Sequence, residues 1–182
     1  MRKLSWFFVC CLLVLALPLR AQEKPAAPGG FRGEFLGSVA DAEKKLVSLA
    51  EAEPQEKYSW RPGEGVRSIG EVYVHVAMDN YYFMSLVGVK PPAMEKDLEK
   101  TLTDKAKVIG YLKESFAWVK SATANIKDEE LEKATKMFGM MTTARGVLLV
   151  LATHMHEHLG QSIAYARTNG VVPPWSMPKP AK

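Results

Sequence analysis

Three histidines at helical spacing are the residues of this chain best suited to chemistry. There are four histidines in all. His154, His156 and His158 share one short segment, and His75 lies far upstream. His154 and His158 are four residues apart, so on a helix their rings differ by about 40° and sit about one turn apart. Two imidazoles so placed can aim at one divalent ion. A third ring, His75, brought from a facing helix would complete three nitrogen ligands and leave a position open for water or substrate. That is the pattern of catalytic zinc sites rather than of closed structural ones.

The company of these residues says which way they point. Val147, Val150, Leu151, His154, His158, Gln161 and Tyr165 form one stripe of a helix, so the pair faces inward. His75 sits among Val72, Val76, Tyr82 and Leu86. An isolated core histidine is ordinarily a hydrogen-bonded packing residue, but three on helices that can face each other point to shared ligation. His156 falls about 160° from His158 on the wheel and is expected at the surface. Asp79, one turn after His75 on the same face, is open to three roles, a fourth ligand, an acceptor for an imidazole N–H or a solvated residue at the bundle end, of which the last two are favoured. Gln161 is a candidate to hydrogen-bond a ligand histidine, and Glu157 a weaker one for proton transfer.

His154-Met155-His156-Glu157-His158 also spells the inverted zinc-peptidase motif, H-x-x-E-H. That chemistry needs a carboxylate ligand further downstream. Glu157 is the last acidic residue of the chain, so the peptidase reading lacks its third ligand.

The elements that must position these residues read as helices. Phe35, Val39, Ala42, Leu46 and Leu49 give a first helix from Glu34 to about Glu53, stopped by Pro54. Ser68 and Glu71 form a capping-box pair opening the second, which Gly88 and Pro91-Pro92 end. Thr103-Asp104 starts the third, with Val108, Leu112, Ser115, Phe116 and Val119 on its inner face. A short helical turn is expected from Asp128 to Thr135, then a Met-rich connector from Met137 to Met141. Thr142 or Thr143 caps the last helix, and Asn169-Gly170 stops it. Four long helices without a strand pattern predict an all-α four-helix bundle.

The N-terminus has a different job. Met1-Arg2-Lys3 is followed by an apolar run from Trp6 to Leu19, about 14 residues against the roughly 20 needed to span a bilayer. With Ala21 at the cut, residues 1–21 read as a secretory signal peptide. Residues 22–33 read as a Pro/Gly-rich leader, 34–176 as the folded domain and 177–182 as a tail. Both cysteines, Cys10 and Cys11, fall in the signal, so the mature chain has no thiolate ligand, disulfide or cysteine nucleophile. Loss of Arg2, Lys3 and Arg20 lowers the formal net charge from +4 to +1. The basic balance therefore gives no reason to expect nucleic acid as a partner. Export to the periplasm or medium, no stable membrane insertion after cleavage, and a small-molecule substrate are the expectations. A homodimer is compatible with Trp60, Trp175 and the Pro-rich tail.

Several segments resemble the DinB/YfiT-like family. They are Trp60-Arg61-Pro62, Val66-Arg67-Ser68-Ile69-Gly70-Glu71 leading to His75-Val76-Ala77, and His154-x-x-x-His158-x-Gly160-Gln161 followed by Tyr165 to Pro174. The resemblance runs from about Phe35 to Trp175. It implies an up-down-down-up four-helix bundle in which His75, His154 and His158 hold a divalent ion, commonly zinc or nickel. It further implies thiol-dependent transfer or isomerisation, the thiol coming from a cosubstrate; a metal-dependent hydrolase or a thiol-dependent transferase is the reading taken from the site. The alternative is a non-enzymatic, metal-stabilised bundle acting as a binding or scaffold module.

Overall fold

The computed structural model describes residues 29–178. The expected signal peptide and most of the leader lie outside the described residues. Four long helices carry the domain: α1 (Gly30–Ala52), α2 (Ile69–Leu86), α4 (Lys105–Asn125) and α5 (Ala144–Thr168). A four-residue helix, α3 (Leu98–Thr101), interrupts the link between α2 and α4. Short 3-10 turns follow α1, α4 and α5. Among the described residues no helix is long and apolar enough to cross a membrane.

The local chemistry of the helix ends matches the sequence reading at most points. Ser68 accepts from the Glu71 N–H while the Glu71 carboxylate accepts from the Ser68 N–H, a complete capping box at the start of α2. Asp104 caps α4 through the Lys107 N–H, and Thr143 caps α5 through the Gly146 N–H. Helix α1 stops at Ala52 because Glu53, the residue before Pro54, is pushed to an extended conformation.

Helix α1 begins at Gly30, earlier than Glu34, so the last residues of the expected leader are helical. Phe31 stacks on Phe35 with ring centroids 6.4 Å apart and packs against the core, which extends the apolar stripe one turn back.

The expected absence of strands is corrected. Residues 134–143 form a two-stranded antiparallel hairpin, β1 (Ala134–Met137) and β2 (Met140–Thr143), pairing Ala134 with Thr143 and Met137 with Met140. The region expected as a helical turn and connector is thus a 3-10 turn (Asp128–Glu130) followed by this hairpin. Two residues, Phe138 and Gly139, join the strands, both at positive φ (51° and 81°). That is the pattern of a two-residue hairpin turn whose backbone twist suits the flanking strands. The hairpin runs straight into α5 because Gly146 has no side chain. A Cβ there would lie 2.2 Å from Oγ1 of Thr142.

The packing order sets the site. Helices α1 and α2 each pack on both α4 and α5. The first two long helices therefore lie across the bundle from each other, and a long crossover carries the chain from α2 to α4. This is the up-down-down-up bundle. Phe35, Val39, Ala42, Leu46 and Leu49 of α1 are all buried, as are Val108, Leu112, Phe116 and Val119 of α4 and Val147 and Leu151 of α5. Tyr82, expected inside, is 40 % exposed and lies on the outer edge of α2.

Candidate metal centre

Helices α2 and α5 bring the three histidines together. Nε2 of His154 lies 3.3 Å from Nε2 of His75 and 3.1 Å from Nε2 of His158. One ligand atom from each ring lies within 4.8 Å of those of the other two. Metal–nitrogen bonds of about 2.0–2.1 Å at tetrahedral angles put neighbouring donors about 3.3 Å apart. The two nitrogen separations at His154 match that spacing. The rings are packed edge to face, with centroids 4.4 to 5.2 Å apart.

The outer nitrogens explain why the inner ones are free to ligate. Nδ1 of His158 lies 2.7 Å from Oε1 of Gln161. The Gln161 amide nitrogen in turn donates to the Tyr165 hydroxyl at 2.9 Å, which fixes the carbonyl oxygen toward the histidine. Trp60 braces Tyr165 edge-on at 5.3 Å. The Nδ1–H of His158 therefore faces an acceptor, and its lone pair is on Nε2, toward the cluster. Beside His75 stands a carboxylate instead: Oε2 of Glu99, on α3, lies 3.3 Å from Nδ1. Nδ1 of His154 is buried without a partner.

Among the roles open to Asp79, its position disfavours the outward acceptor and the solvated residue preferred from the sequence. Its Oδ2 is 3.0 Å from Nε2 of His154 and 3.5 Å from Nε2 of His75, on the ligating side of the rings. On the outward side Gln161 accepts from Nδ1 of His158, and the Glu99 carboxylate lies 3.3 Å from Nδ1 of His75. Sequence spacing could suggest Gln161, three residues from His158. It offered no signal for Glu99, which reaches His75 across the crossover. Burial by itself would raise the Asp79 carboxyl, but the hydrogen bond from His154 and the nearby imidazoles hold it below its ordinary value. Asp79 is a carboxylate at neutral pH.

Both His75 and His158 are held below the ordinary histidine pKa, chiefly by burial. At His75, Asp79 opposes this and the Arg67 charge adds to it. At His158, the Gln161 hydrogen bond opposes it. The neutral imidazole, which is the ligating form, is favoured at both.

His156 points away from the cluster. Its Nδ1 donates to the Ala152 carbonyl at 2.8 Å, and its Nε2 lies 3.7 Å from Asp41 of α1. Its ring is only partly exposed rather than free at the surface. Glu157 is exposed, so the peptidase-like motif places no acid at the centre.

The donor set fits a divalent ion. Three ring nitrogens, those of His158 and His75 standing 3.1 and 3.3 Å from that of His154, lie beside a carboxylate oxygen at the spacing a tetrahedral ion takes, and Nδ1 of His154 has no other partner to dictate its tautomer. A cleft of about 570 Å³ borders the centre, lined by Arg61, Arg67, Glu71, Glu99, Lys100 and Gln161 among others. Arg61 pairs with Glu71 at 2.8 Å and Arg67 with Glu99 at 2.7 Å. The numbering runs upward on α2 and downward on α5 along this groove: Arg67 lies toward Gln161, His75 toward His158, and Phe83 against His154 with ring centroids 5.5 Å apart.

Comparison with known proteins agrees with this architecture. Residues 39–162 match the family model of the DinB superfamily. The chain belongs to that superfamily. It is 29 % identical over 126 residues to YjoA of Bacillus subtilis (strain 168), an uncharacterized protein, covering 67 % of this chain and 80 % of YjoA. Two solved structures share the fold. A DinB-like protein from Bacillus cereus ATCC 10987 superposes with a TM-score of 0.67 at 22 % identity, over 77 % of this chain and 93 % of that one. YfiT from Bacillus subtilis superposes with a TM-score of 0.64 at 14 % identity, over 82 % and 94 %. YfiT is described as a probable metal-dependent hydrolase with an unusual four-helix bundle topology. This member of the superfamily thus carries a three-histidine cluster between α2 and α5.

Proposed function

We propose that the protein is an exported, metal-dependent enzyme acting on a small molecule, with hydrolysis the favoured reaction and thiol-dependent transfer the runner-up. His75, His154 and His158 hold the ion, of zinc or nickel type. The observation that carries this reading is the convergence of three Nε2 atoms whose outer nitrogens face Gln161 and Glu99 on two of the rings. The description of YfiT as a probable metal-dependent hydrolase supports the choice of reaction. A divalent ion here supplies polarisation of an oxygen or sulfur group and a lowered pKa for a nucleophile.

The chain's own residues supply the rest. Gln161 orients the His158 imidazole and the Glu99 carboxylate stands beside that of His75, while burial keeps both rings neutral. Asp79, ionised beside the rings, is placed to accept a proton from a nucleophile at the centre. The cleft at the Gln161 side admits the substrate. Because Cys10 and Cys11 both precede the expected cut, any thiol comes from a cosubstrate.

The test is turnover of small esters, amides and lactones by zinc- and nickel-loaded mature protein, with thiol-plus-electrophile pairs as the second panel. The reading expects chelator-sensitive turnover that falls at least about a hundredfold in Asp79→Asn, within the range for loss of a general base. Turnover that survives both chelation and His154→Ala contradicts it.

A further inference from the structure

We propose that the tip of the β1–β2 hairpin is the apolar wall of the substrate site, and that Phe138 determines specificity for a small molecule with an alkyl or aryl arm. This inference rests on the reading of the three histidines as a metal centre. A relay of rings joins the tip to that centre. Phe83 packs on His154 at 5.5 Å, and Phe138 meets Phe83 at 6.0 Å and 89°. Tyr82 lies 6.5 Å from Phe138 on the same ledge. Phe83 is buried, but Phe138 is 65 % exposed and Tyr82 40 %. The relay therefore starts at a ligand histidine and ends in a free aromatic surface.

Folding does not account for Phe138. Its backbone is left-handed, at φ 51°, where Asn, Asp and Gly are the ordinary residues and a bulky side chain is an outlier. A ring left mostly in water recovers little by packing. An occupant that covers the ring gives the residue its use. The ledge is also held in place: Oγ1 of Thr135 donates to the Leu86 carbonyl at 2.9 Å, and Leu131 and Lys133 carbonyls accept from the Arg145 and Ala144 N–H groups. It is formed before anything binds.

The two sides of the centre differ. Toward Gln161 the cleft is lined with paired charges. Toward Phe83 and Phe138 the wall is aromatic. An occupant with a polar head at the histidines and an apolar arm on the hairpin matches both. A ligand that is polar throughout would leave the ledge wet.

The experiment uses cobalt(II)-loaded mature protein titrated with acetohydroxamate and octanohydroxamate, which share a metal-binding head and differ in the arm. The cobalt absorption spectrum reports binding without any need for turnover. Octanohydroxamate is expected to bind at least about tenfold more tightly than acetohydroxamate, as burial of an alkyl arm on a ring requires. Phe138→Asn, which suits the left-handed turn, removes that preference and leaves acetohydroxamate affinity unchanged; Phe138→Gly does the same. Equal binding of the two hydroxamates to the native protein overturns the inference. So does a preference that survives both substitutions, or a variant whose only change is a shift from dimer to monomer in sedimentation. Failure to take up cobalt, or no spectral response to either hydroxamate, sinks the metal-centre reading itself and this inference with it.

Discussion

Oε1 of Gln161 lies 2.7 Å from Nδ1 of His158, one turn along the same helix, and this contact settles which nitrogen of the ring faces the cluster. With Nδ1–H donating outward, Nε2 carries the lone pair inward. Partners of this kind usually matter to metal affinity by about 10–100-fold. Gln161→Leu should therefore weaken metal binding by about that factor while leaving helicity and the thermal transition of the metal-free protein nearly unchanged. Competition with a chelator of known affinity measures it. Unaltered affinity would remove Gln161 from the account.

Glu99 should behave in the same way from a different element. Glu99→Gln keeps an acceptor beside Nδ1 of His75 but discards the charge, and it also breaks the 2.7 Å pair with Arg67. A loss of metal affinity smaller than that of Glu99→Ala is expected, again read by chelator competition. Equal losses in the two variants would mean that Glu99 acts through its charge and not as an acceptor.

These two partners show what was legible in the chain. The His154–His158 pair, Gln161 one turn on, and the Ser68–Glu71 capping box all act over three or four residues, the range at which helical spacing determines contact. Four helices and their inner faces followed from the same period. Glu99 was not legible because its contact with His75 is made by the fold of the crossover, for which spacing carries no information. Asp79 was placed on the correct helix face, but which side of the rings its carboxylate meets depends on the α2–α5 docking. The hairpin was missed because Phe138-Gly139 lacks the Asn-Gly signature of its turn, and because Met137, Met140 and Met141 suit any secondary structure.

The turn itself yields a stability prediction. A non-glycine residue in the left-handed region costs roughly 1–2 kcal/mol, less for Asn. Phe138→Asn should therefore stabilise the fold by up to about 1 kcal/mol, a rise of about 2–4 °C in melting temperature for a domain of this size. Calorimetry of metal-free protein checks it. A fall of several degrees would mean that the Phe138 ring contributes more to packing than its exposure suggests.

Glu53 should make stability depend on pH. Its carboxyl is fully buried, accepts from the Tyr73 hydroxyl at 2.7 Å and leaves Oε1 unpartnered. Burial pushes its pKa up to about 7 from 4.5, against the opposing effects of Tyr73 and Lys105. The folded state thus holds a proton that the unfolded state releases at lower pH. Stability from this group is fully present below pH 4.5 and is lost as pH rises through about 7, by at most about 3 kcal/mol. Glu53→Gln removes that dependence, so the variant should gain on the native protein as pH goes from 5 to 8. Denaturant unfolding at a series of pH values measures the difference. A difference that stays flat with pH would show that Glu53 does not titrate in this range.

Metal content of the purified mature protein tests the central claim most directly. Mass spectrometry of the native protein should find about one zinc or nickel per chain, and His75→Ala and His154→Ala, folded by circular dichroism, should each carry almost none. A folded native preparation that takes up no transition metal, or variants that retain the full complement, would contradict ligation by His75, His154 and His158.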